Sequence, residues 1–70
     1  MLYALISPKG KIIDQTIGFS REEAEGQAFN YMAMRLGRNW MDEFWKRWQP
    51  AQEDIRSRGY KIKRVRLVAY

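Results

Sequence analysis

The stretch Asn39-Trp40-Met41-Asp42-Glu43-Phe44-Trp45-Lys46-Arg47-Trp48-Gln49-Pro50 holds all three tryptophans of the 70-residue chain. Trp40, Met41, Phe44, Trp45 and Trp48 recur at three- and four-residue intervals. A helix would line them up as one apolar stripe, opposite Asp42, Glu43, Lys46 and Arg47. Burying one indole removes on the order of 200 Å² from water, worth about 5 kcal/mol as an upper value. That is a large part of the net stability open to so short a chain. The pattern therefore predicts that all three indoles pack inward and organise the fold. Asn39 is the expected N-cap. Pro50 lacks a backbone donor and disfavours helical geometry at Gln49, so the segment should break or kink there. Met41, Trp48 and Ile55 keep a seven-residue phase, which makes the continuation a second short helix, or one kinked helix, facing the same core. Gly59 closes the helical region.

Upstream, residues 2–6 and 11–17 are apolar and β-branched and flank Ser7-Pro8-Lys9-Gly10, a type I turn followed by a glycine bulge. The hairpin register then sets Ser7 against Lys11, Leu5 against Ile13 and Tyr3 against Gln15. One face carries Leu2, Ala4, Ile6 and Ile12, and the other Tyr3, Leu5, Ile13 and Ile17. Gly18 ends the second strand. Ser20-Arg-Glu-Glu23 is a capping box that opens a helix running to Leu36, with Gly37 as its stop. Ala24, Ala28, Phe29, Met32, Ala33 and Leu36 form its buried stripe. Tyr31 and Met34 fall outside the stripe, as peripheral core or contact surface. Gly26 sits inside the helix without an evident reason. Tyr60–Val68 reads as a last strand, with a bulge near Lys63–Arg64 to reconcile Ile62 with Val65 and Leu67. The whole is a single α+β domain over residues 1–70: a β-hairpin, two helical segments, the second kinked or broken at Pro50, then a third strand. A three-stranded sheet with helices on one face buries both helical stripes.

The chain has no cysteine and no histidine. This excludes disulfides, thiolate zinc sites and the usual neutral-pH acid–base group. Phosphate-cradling glycine signatures are also missing. The acid pairs Glu22–Glu23, Asp42–Glu43 and Glu53–Asp54 all fall early in expected helices, where they complement the helix dipole. Glu43 and Lys46 are spaced as a surface ion pair. No catalytic, cofactor or metal residue emerges, so the sequence reads as non-enzymatic. No signal peptide or membrane span is visible, since the apolar opening is short and meets Pro8 at once, and a cytoplasmic protein is expected.

Three surfaces remain. Residues 1–37 are electrically neutral, and the whole formal charge of +5 lies in the second half. There Arg56, Arg58, Lys61, Lys63, Arg64 and Arg66 follow one another with no acid between them. This run is either a surface for nucleic acid or an acidic protein, or an edge strand kept soluble by its cations. The sheet back, Leu2, Ala4, Ile6 and Ile12, would invite a protein partner or a two-fold homodimer if helices cover only the opposite face. The tryptophan segment, with its neighbouring Lys and Arg, is an alternative anchor, although core is the favoured reading.

The stretches Tyr3-Ala-Leu-Ile-Ser-Pro-Lys-Gly-Lys-Ile12, Ser20-Arg-Glu-Glu-Ala24 and Arg58-Gly-Tyr-Lys-Ile-Lys-Arg-Val-Arg-Leu67 together resemble small accessory proteins of tailed bacteriophages and prophages. The resemblance implies a bacterial cytoplasmic setting and a role such as binding a host factor or countering a defence system. It implies no catalytic residue, cofactor or ligand. The leading expectation is a protein–protein contact module without enzymatic activity, with a small basic nucleic-acid-binding module as the alternative.

Overall fold

A computed structural model describes residues 1–66. The fold is a small α+β arrangement of strand β1 (Leu2–Ile6), helices α1 (Arg21–Leu36), α2 (Arg38–Phe44) and α3 (Trp48–Ser57), and strand β2 (Lys61–Val65). The strands pair antiparallel with Leu2 opposite Val65, Ala4 opposite Lys63 and Ile6 opposite Lys61. The register is continuous, so the bulge expected near Lys63–Arg64 is absent. Leu67 and Val68, assigned to the last strand by the sequence, lie outside the described residues.

The expected hairpin is half present. Ser7 N–H donates to Lys11 O at 2.8 Å, Gly10 takes φ 85°, and Ile13 N–H donates to Leu5 O at 3.0 Å. Beyond Ile13 the chain leaves the strand for a single 3-10 turn, Asp14–Thr16. Tyr3 consequently exchanges both its backbone bonds with Gly18, not Gln15, at 2.8 and 2.9 Å. Thr16 makes the detour possible. Its buried hydroxyl accepts the Leu5 N–H at 2.8 Å and donates to Ile13 O at 2.7 Å, standing in for a missing ladder partner. Residues 11–18 therefore cover one edge of β1 through isolated bridges at Ile12 and Gly18. Among the described residues the sheet has two strands, not three.

Ser20 caps α1, accepting the Glu23 N–H at 3.1 Å, but the reciprocal bond from Ser20 N–H to the Glu23 carboxylate is absent among the described residues. Ala24 and Ala28 are fully buried and let the helix approach β1 closely, while Tyr31 is half-buried against the core and Met34 is exposed. A Cβ on Gly18 would stand 2.8 Å from Ala24 N, so the turn into α1 requires glycine. Gly37 stops α1 as expected, but with φ 98° it also turns the chain straight into α2. Asn39, the expected N-cap, therefore lies inside α2.

The tryptophan segment departs most from expectation. It breaks at Trp45–Arg47, before Pro50, with Lys46 at φ 60°. Pro50 falls in the first turn of α3, where a helix has no internal use for its N–H. The core gathers Leu5, Ala28, Phe29, Met32, Trp40, Ala51 and Ile55. Of the indoles only Trp40 is buried; Trp45 is 59% and Trp48 43% exposed. All three still meet Phe29, at ring-centroid distances of 5.2, 6.3 and 6.0 Å respectively. The break is what brings indoles around one phenyl ring from separate directions, which a straight helix of rising side chains would not do.

Candidate binding surface

The antiparallel register decides how the candidate residues combine. Directly opposed residues stand on the same side of a sheet. Lys61, Lys63 and Val65 thus share a face with Ile6, Ala4 and Leu2. The sheet back and part of the basic run, separate in sequence, are one surface.

That surface is less greasy than the sequence implies. Ala4 and Ile6 are buried and Leu2 is half-buried, while Ile12 remains 42% exposed. Lys61 and Lys63 are the cross-strand neighbours of Ile6 and Ala4, positions from which a lysine stem can cover apolar side chains while its ammonium stays wet. A shallow groove runs over Ile6, Ile12 and Val65; Lys61 and Lys63 line it from this face, while Arg64, which stands opposite Tyr3 and so belongs to the other face, and Arg66 border it. A second hollow, towards Met1 and Leu2, continues it past Arg64 and Arg66. Among the described residues no acidic side chain lines either. Exposed Lys9 and Lys11 lie in and beside the turn at one end and extend the positive field.

The remaining two cations go elsewhere. Arg58 Nε donates to Asp54 Oδ2 at 2.8 Å, so its charge is held by the helix pair. Arg56 faces a different cleft, beside Arg21. Asp54 is also the acceptor for Trp40 Nε1, at 2.7 Å. Partial burial pushes the Asp54 carboxyl up, but the bonds from Arg58 and Trp40 and the adjacent Arg58 charge outweigh it and hold it below the ordinary aspartate value. Its place in the last two turns of α3 rules out the helix-dipole role expected of Glu53–Asp54. Asp42–Glu43 likewise stand late in α2, and only Glu22–Glu23 occupy a first turn. Glu43 does not pair with Lys46; the single ion pair among the described residues is Arg58–Asp54.

Two rigid turns frame one end of the groove. Gly59, at φ 93°, would place a Cβ 3.0 Å from Pro8 Cγ, so the turn before β2 packs on the turn after β1. Pro8, Gly10 and Gly59 are part of the groove wall. The sequence signalled both turns but not their contact.

Trp45 and Trp48 form a second exposed surface that the helical period concealed. Lys46 and Arg47 sit between them, both exposed. Among the described residues no group of three or more acidic, histidine or cysteine side chains could hold a metal ion. No helix there is long and apolar enough to cross a membrane. No protein family model, curated protein or solved structure matches the chain.

Proposed function

We propose that the protein is a non-enzymatic binding module whose sheet back takes an acidic segment of a partner protein. The observation that carries this reading is the groove, free of acidic side chains among the described residues, in which Lys61 and Lys63 on the sheet back and Arg64 and Arg66 at its border line an aliphatic floor of Ile6, Ile12 and Val65. Clustered cations attract and orient an acidic partner, and the aliphatic floor rewards apolar side chains between its acids. A second copy of the chain fits poorly, because each cation would meet its own like across a two-fold axis. The resemblance to small phage and prophage proteins supports a bacterial host factor or defence component, in the cytoplasm, as the target class.

The alternative is nucleic acid, favoured by the same four cations and by Lys9 and Lys11 nearby. Among the described residues the groove has no aromatic side chain for base stacking, which favours the acidic segment over single strands there. Fluorescence anisotropy across a salt series separates the two. Against an acidic, leucine-dotted peptide, duplex DNA and single-stranded DNA, the peptide should bind tightest. Lys63→Glu with Arg64→Glu should weaken it about ten-fold or more, a change of roughly 1.4 kcal/mol or above. Tighter DNA binding with a steep salt slope would transfer the function to nucleic acid. No binding of either at low salt would reject the surface.

A further inference from the structure

A cleft of about 210 Å³ opens between the start of α1, the later turns of α3 and the beginning of β2. Arg21, Arg56 and Lys61 line it against one acid, Glu25, leaving a surplus of two positive charges. None of these four side chains is in an ion pair among the described residues, where Arg58–Asp54 is the only pair. Gln52, on the cleft wall, has its Nε2 buried with no hydrogen-bond partner. A buried amide donor left empty is rare in folded proteins and is a standing penalty unless something accepts from it. Ile55, Ile62 and Tyr60 supply an apolar and aromatic wall.

Two guanidinium groups, an ammonium and an idle amide all lack the same thing, an acceptor-rich anion. Guanidinium groups match the oxygens of a phosphate in a fixed fork geometry, and a phosphate monoester carries close to two negative charges at neutral pH. We propose that this cleft binds the phosphate group of a small phosphorylated metabolite. Arg21 and Arg56 hold the dianion, the Gln52 side chain, whose Nε2 is shielded in the cleft wall, rotates outward to donate to one of its oxygens, and the wall of Ile55, Ile62 and Tyr60 takes the uncharged remainder. The site is separate from the sheet back, with Lys61 alone bordering both.

NMR titration of the whole chain with inorganic phosphate, a nucleoside monophosphate and the corresponding uncharged nucleoside tests this. The Gln52 side-chain amide and the Arg21 and Arg56 Nε–H signals should move saturably with both phosphates, with half-saturation below about 10 mM. The nucleoside alone should leave them unmoved. Gln52→Leu removes a donor that nothing in the fold uses, so it should keep or raise the melting temperature while weakening phosphate at least about five-fold. Lys63→Glu should leave the phosphate affinity within about two-fold while weakening the acidic peptide, so the two proposals fail independently. Non-saturable or chain-wide shifts in the wild type would overturn the site, as would unchanged phosphate affinity in Gln52→Leu.

Discussion

Phe29 is touched from two sides by the same residue type, with opposite results. Trp40 lies tilted against it at 5.2 Å, is 7% exposed, and meets Phe44 at a similar tilt at 5.1 Å. Its indole N–H is held by Asp54. On the outer side Trp45 and Trp48 approach to within 6.3 Å yet keep about half their surface in water. The contact with Phe29 is shared; what differs is a half-buried acceptor, Asp54, and a place inside a helix instead of at or beside the break. Apolar spacing brings an indole to the core, and a partner for its nitrogen together with regular backbone takes it inside.

The contrast is broken most directly by truncation. Trp40→Ala should destabilise the fold by about 3–5 kcal/mol, whereas Trp48→Ala should cost only about 1 kcal/mol. Chemical denaturation of the two variants measures the gap, and equal losses would mean that Trp48 is as structural as Trp40. A smaller effect comes from the acceptor. Asp54→Ala leaves the Trp40 N–H without a partner and should cost about 2 kcal/mol at neutral pH. Because the folded carboxyl is held below its ordinary value, its share of stability is present above the unfolded pKa of about 3.9 and fades as pH falls through the lower folded value. The difference between wild type and variant should therefore narrow below about pH 4, and a gap independent of pH would remove the charge from the explanation. The smallest change sharpens the outer side. Lys46 holds φ 60°, a conformation that disfavours a side chain by about 1 kcal/mol, so Lys46→Gly should stabilise by up to that amount without moving Trp40 fluorescence. A loss of stability there would show that the lysine side chain itself holds the break.

Much of the local architecture was readable from residue types. Pro8 and Gly10 marked the first turn, Ser20 and Gly37 bracketed α1, and Gly59 closed the helices. Each of these is a backbone requirement met by a characteristic side chain. The 3-10 detour left no such mark, since a threonine hydroxyl replacing a backbone partner has no periodic signature. Lys46 at the break was equally silent: a lysine with positive φ looks like any other exposed charge. Its consequence was the main error, an inward reading of Trp45 and Trp48.

The binding surface was legible as parts and illegible as a whole. The strand period and the hairpin register put Leu2, Ala4, Ile6 and Ile12 on one face, as the pairing of Ile6 with Ile12 bears out. Only the β1–β2 register, which joins the two ends of the described chain, shows that Lys61 and Lys63 share that face. Non-local pairing of that kind carries no signal within either segment. The same limit hid the cleft of Arg21, Gln52 and Arg56, whose members come from two helices.

Leu2 finds its hydrogen-bonding partner at Val65, and Pro8 finds its packing partner at Gly59. β1 must therefore wait for all the residues that separate it from β2 before its second edge is covered. That pairing closes a large loop, and a chain truncated before β2 would present β1 as a sticky ribbon to chaperones.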